Sequence, residues 1–74
     1  MVIVIAGNYR EVIDLFPEEI KSGEYVYVND YRKVMGIELN GEYVLVGYWY
    51  YKDWNHQIIE VLKSKGWTEK EVQS

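Results

Sequence analysis

Residues 31–47 read "YRKVMGIELNGEYVLVG", and two readings compete for them. In one, Asn40-Gly41 forms a type I′ turn, so that "VMGIEL" and "EYVLVG" become antiparallel partners in an α+β fold. In the other, residues 31–35 form a short helical turn and residues 36–41 a loop. Residues 29–42 then cross over to a parallel strand, about the dozen or more residues such a connection needs. Local propensity slightly favours the hairpin. The neighbouring segments have to decide between a parallel and an antiparallel sheet.

Upstream, "VIVIA" (residues 2–6) is apolar at every position rather than at alternate ones, the pattern of a strand covered on both faces. In the following "GNYREVIDLFP", Asn8 is a good N-cap and Glu11 stands three residues later, a capping-box spacing. Tyr9, Val12, Ile13 and Phe16 then fall on one helical stripe, and Pro17 ends or kinks the helix. "PEEIKSG" predicts one further turn, stopped at Gly23. "EYVYV" (residues 24–28) is a second strand that ends at the turn formers Asn29 and Asp30, and "EYVLVG" is a third. Downstream, Asp53 is expected to cap a last helix whose apolar face is Trp54, Ile58, Val61 and Leu62. Gly66 should close it in a Schellman motif that packs Trp67 on Leu62. Residues 1–67 thus read as a single globular domain. Residues 68–74, with a capping-box spacing from Thr68 to Glu71, are too few for an isolated helix and are expected to fray.

Seventy-four residues with no Cys leave neither disulfides nor thiol chemistry, and a single His argues against a zinc site, so no metal and no cofactor are expected. Stability must come from apolar burial, for which 49% hydrophobic residues and 16% aromatics suffice. The net charge of −4 disfavours duplex DNA as a partner. "MVIVIAG" is too short to span a membrane and has no basic leader. A cytoplasmic protein is expected, in the host cytoplasm if the chain is viral.

The first strand and helix resemble the opening of a group of small phage and prophage proteins without an assigned activity. In that group Ala-Gly-Asn-Tyr-Arg-Glu follows the first strand, as Ala6 to Glu11 do here, and Gly-Thr-Trp with further aromatics follows the third. Gly47 and Trp49 match the second motif, whereas Tyr48 departs from its Thr. The resemblance implies a compact α/β domain with three mostly parallel strands and two main helices, a Rossmann-like fragment. It tips residues 31–47 towards the crossover, with the hairpin as the alternative.

In such a sheet, ligands sit beyond the carboxyl ends of the strands, where "GNYR", "NDY" and "GYWYY" would converge. Five aromatic residues occupy the seven positions from Tyr48 to Trp54. With the strand extended through Tyr51, Tyr48 and Tyr50 would face one side and Trp49 and Tyr51 the other, while Trp54 would be core. Such a cluster either enlarges a small core or forms a rim for a partner. Arg10, in the first helical turn, opposes the helix dipole; it is either a solvated surface residue or a phosphate contact. The single Gly7 makes neither a dinucleotide fingerprint nor a P-loop. His56 has no nucleophile to serve, and Glu18, Glu19, Glu69 and Glu71 read as solvated charge, so an enzyme is not expected. The leading expectation is a small binding module that meets a protein partner, or its own copy, through Tyr48, Trp49, Tyr50 and Tyr51 with Asn8, Tyr9 and Arg10 beside them. The rival is a nucleotide or single-stranded nucleic acid bound across residues 7–10 and 47–51.

Overall fold

The computed structural model describes residues 1–71. The chain runs β1 (Val2–Ile5), α1 (Tyr9–Leu15), α2 (Pro17–Ser22), β2 (Tyr25–Tyr27), α3 (Arg32–Met35) and β3 (Glu42–Leu45). A single 3-10 turn (Trp49–Tyr51), α4 (Asp53–Ser64) and β4 (Thr68–Glu69) follow. The strands form one sheet in the order β2-β1-β3-β4, with every neighbouring pair parallel. The class is α/β.

β1 takes the centre because all four of its residues are apolar and buried, as a strand covered on both faces must be. Val2, Val4 and Ala6 pack with Val44, Val46 and Val12 on the α1/α2 face. Ile3 and Ile5 pack with Tyr43, Val34, Ile58, Leu62 and Trp67 on the α3/α4 face. Full burial of a side chain such as Ile58 or Leu62 contributes about 1.5–3 kcal/mol.

β3 pairs with β1 from Val2↔Glu42 to Ile5↔Leu45, which rules out the hairpin. Residues 31–36 are instead spent on α3, whose Val34 is fully buried against the core. A β-partner for β3 that is apolar on both faces outweighs one that alternates poorly. Asn40, at φ 62, still adopts the left-handed geometry its turn signal implied, but as the entry to β3.

The start of α1 forms as the sequence implied. Asn8 Oδ1 accepts from the Glu11 N–H at 3.0 Å, and Glu11 Oε1 accepts from the Asn8 N–H at 3.1 Å. The end of α4 does too. Trp67 N–H donates to Leu62 O and Gly66 N–H to Lys63 O, with Gly66 at φ +83, the two bonds of a Schellman motif. The Trp67 indole N–H then donates to Glu38 O at 2.9 Å.

Four expectations are corrected. Thr68 and Glu69 do not fray: Thr68 N–H donates to Gly41 O and Lys70 N–H to Tyr43 O, adding a fourth strand to the three expected. The docked Trp67 delivers the chain to the open edge of β3. Residues 72–74, the rest of the expected frayed tail, lie outside the described residues. The third strand stops at Leu45 rather than running through Tyr51, because Gly47 turns the chain at φ +56. Asp53 is the first helical residue of α4 and not its cap: Lys52 holds the extended cap position and its carbonyl accepts from the Asn55 N–H at 3.0 Å. Trp54 is 43% exposed, and the inward position of that first turn belongs to Asn55.

Candidate functional site

β1 lies between β2 and β3, and the connections leaving β1 and β3 cross opposite faces of the sheet. The gap beyond the carboxyl ends of β1 and β3 is therefore the topological switch point, where open α/β sheets bind ligands. A shallow cleft of ≈ 580 Å³ lies there, lined by Gly7, Asn8, Tyr48, Tyr51 and Lys52.

The Glu11 carboxylate lies across this gap. Its Oε1 accepts from the Gly7 N–H at 2.6 Å as well as from Asn8, and its Oε2 accepts from the Tyr48 N–H at 3.0 Å. A residue that reads locally as half of a capping box thus also ties the β1 loop to the β3 loop. Gly47 has to be glycine here, since a side-chain carbon would fall on that carboxylate and φ is positive.

A second tie comes from α4. Asn55 is fully buried, and its Nδ2 donates to Ala6 O and to Trp49 O, each at 2.9 Å. Its Oδ1 has no partner among the described residues. Between these two ties the chain makes the 3-10 turn, closed by Tyr51 N–H to Tyr48 O at 3.1 Å.

The turn presents three tyrosines to solvent: Tyr48, Tyr50 and Tyr51 are 59%, 50% and 70% exposed. Their rings lie against one another, with centroids 4.8 Å apart for Tyr50 and Tyr51 and 5.6 Å for Tyr48 and Tyr51. Trp49 points the other way. It packs on the α3/α4 core and on the His56 ring, at 5.5 Å. His56 Nε2 lies 3.3 Å from Tyr50 O, which makes the lone histidine another support of the turn.

Of the residues the sequence nominated, Asn8, Tyr48 and Tyr51 come together at the cleft and Tyr50 joins them on the rim. Tyr9 and Arg10 do not line it. The Tyr9 ring packs on Tyr27 at 5.6 Å, and Arg10 is exposed, with no ion pair among the described residues. Burial raises the Tyr27 phenol above its ordinary pKa, and the Glu11 charge adds to the rise. At the loop after β2, Arg32 binds Asp30 at 2.9 Å and holds its carboxyl below the usual range, chiefly by hydrogen bonding.

Sequence reasoning missed Lys52, Asn55 and the long reach of Glu11. Asn55 carried one legible signal, being a polar residue three positions before the buried Ile58. No signal in the sequence pointed from Glu11 to Tyr48, 37 residues away. Among the described residues, no helix is long and apolar enough to cross a membrane. Set against family models, curated proteins and solved structures, the chain matches none of them.

Proposed function

We propose that the chain is a small non-enzymatic binding module of phage origin that docks a protein partner on the rim formed by Tyr48, Tyr50 and Tyr51. The observation that carries this reading is the rim itself. Three tyrosines stand exposed on a turn held from below by Glu11, Asn55 and His56, so little side-chain or loop entropy is lost when a partner covers them. Tyrosine anchors of this kind, with apolar bodies and polar tips, are enriched among the residues that dominate interface energetics.

The nucleotide reading is weakened by the same geometry. The backbone N–H groups of Gly7, Asn8 and Tyr48, which would have cradled a phosphate, are already taken by a carboxylate. A phosphate entering the cleft would meet the Glu11 charge and has only Lys52 beside it as a cation.

Both readings face one experiment. Amide NMR spectra are recorded with nucleotides and short single strands at low salt, alongside affinity recovery of partners by the wild-type protein and a Tyr48→Ala/Tyr51→Ala variant. The proposal expects no nucleotide-induced shifts, and a protein partner whose recovery is lost in the folded variant. Shifts confined to residues 7–10 and 47–51, reversed by salt and by Lys52→Ala, would replace it with the nucleotide reading. Recovery unchanged by the double substitution would remove the rim from the site.

A further inference from the structure

The two edges of the sheet are built differently. β4 is two residues long and includes Glu69, the short and charged ending that keeps an edge from pairing further. β2 reads Tyr25-Val26-Tyr27 and has no charge, proline or bulge. Glu24 O accepts from Val2 N–H at 3.0 Å and Val28 N–H donates to Val4 O at 3.2 Å, so the even-numbered residues of β2 turn their backbone towards β1. By alternation, Tyr25 and Tyr27 turn their N–H and C=O groups to the open side, where no strand of the described residues lies.

Apolar side chains flank this edge on both faces. Val26, on the α3/α4 face, is 37% exposed. On the opposite face the stripe Tyr9, Ile13, Phe16 runs along β2, with Tyr9 on Tyr27 and Phe16 on Tyr25 at 4.8 Å. Ile13 lies between them on that stripe and is 41% exposed.

We propose that β2 pairs antiparallel with β2 of a second copy about a two-fold axis at Val26, joining two four-stranded sheets into one. The register follows from which groups point outward. Tyr25 lies opposite Tyr27 of the second copy and the reverse, each pair exchanging both backbone hydrogen bonds, while Val26 faces Val26 of the second copy without them. The two-fold makes the contact isologous, as a closed dimer requires, and with Tyr at both 25 and 27 it sets aromatic against aromatic across the ladder. Charge permits it as well. Glu24 falls opposite Val28 of the second copy rather than another Glu24, so two acidic chains meet with no like charges directly across the ladder. A three-residue pairing with these flanks makes a small interface, hence a weak, concentration-dependent dimer. The surface is separate from the Tyr48–Tyr51 rim and the dimer does not depend on it.

Sedimentation velocity over a dilution series tests this with Val26→Lys, Val26→Glu and Tyr51→Ala, each first checked for folding by circular dichroism. The wild type and Tyr51→Ala should dimerise with increasing concentration. Val26→Lys and Val26→Glu should each stay monomeric, because like charges then meet at the two-fold. Mixing the two should restore the dimer, which also shows that both are folded. Hydrogen exchange at the Tyr25 and Tyr27 amides should slow as the wild-type concentration rises. A wild type that stays monomeric throughout, a dimer indifferent to Val26→Lys, or a mixture that fails to associate would each overturn the proposal.

Discussion

Glu11 and Asn55 do the same job from opposite sides of the sheet, under opposite physical conditions. Both tie the end of β1 to the loop after β3. Glu11, half-buried on α1, accepts from N–H groups, whereas Asn55, sealed under α4, donates to carbonyls. The loop between them has little regular bonding of its own: Tyr51 to Tyr48, and a long 3.4 Å bond from Lys52 N–H to Trp49 O. The rim is therefore only as rigid as its two ties. The difference between them is solvent, because water can replace an acceptor at a partly exposed position but cannot reach a carbonyl beneath a buried amide.

The largest expected effect follows from that difference. Asn55→Ala should cost about 2–4 kcal/mol, since it leaves Ala6 O without its donor and Trp49 O with only the long bond from Lys52 N–H, and opens space in the core. Glu11→Ala should cost about 1–2 kcal/mol, because water takes over part of the role. Chemical denaturation of the two variants measures both. An equal cost would mean that the Asn55 site is wetter than its burial implies, and the comparison would fail.

The two ties also mark where the sequence was and was not legible. Asn8 and Glu11 lie three residues apart, and a capping box is a local pattern, so the start of α1 was readable. The end of α4 was readable for the same reason, since Gly66 and Trp67 sit within one turn of the residues they bond. β1 declared itself by being apolar throughout, but the hairpin signal at Asn40-Gly41 stood against a parallel sheet. Only the resemblance of Ala6 to Glu11 and of Gly47 and Trp49 to the phage motifs tipped residues 31–47 towards the crossover. What could not be read depends on contacts distant in sequence. β4 exists only because Trp67, docked under Glu38, carries Thr68 to the edge of β3. Asp53 looked like a cap because the sequence does not show a 3-10 turn that ends on Lys52. The aromatic cluster was visible as a composition bias, but its division into three exposed tyrosines and one half-buried Trp49 follows from the positive φ at Gly47.

Gly47 sharpens the comparison at intermediate cost. Gly47→Ala forces an alanine to φ +56 and drives its methyl group onto the Glu11 carboxylate, which can retreat only by giving up the Tyr48 bond. The expected loss is about 2–3 kcal/mol, the left-handed backbone and the broken tie together. Gly23→Ala is the internal control. Its φ is +82 but nothing lies near the added carbon, so about 1 kcal/mol is expected. Combining Gly47→Ala with Glu11→Ala should cost less than the sum of the single changes, because the carboxylate that clashes has been removed. Strict additivity in denaturation midpoints would mean that the carboxylate does not sit beside Gly47.

The smallest effect reads the Glu11 charge itself. Burial, with Glu11 second, raises the Tyr27 phenol, and burial, with Glu69 second, raises that of Tyr43. A phenol whose pKa is higher in the folded than in the unfolded chain holds its proton more tightly when folded. Its contribution to stability is complete below about pH 10 and is lost as pH rises through the folded value. Stability should therefore fall on the alkaline side from about pH 10 upward, and Tyr27→Phe should flatten part of the fall. Glu11→Gln keeps the shape of the side chain but removes its charge and sets its NH2 against one of the N–H groups that the carboxylate accepted from. It should therefore lower the Tyr27 midpoint while leaving the burial contribution in place. Phenolate absorbance titrations of the wild type, Glu11→Gln and Tyr27→Phe isolate that midpoint by difference. A Tyr27 signal unmoved by Glu11→Gln would mean that burial alone raises the phenol and that the carboxylate charge does not reach it.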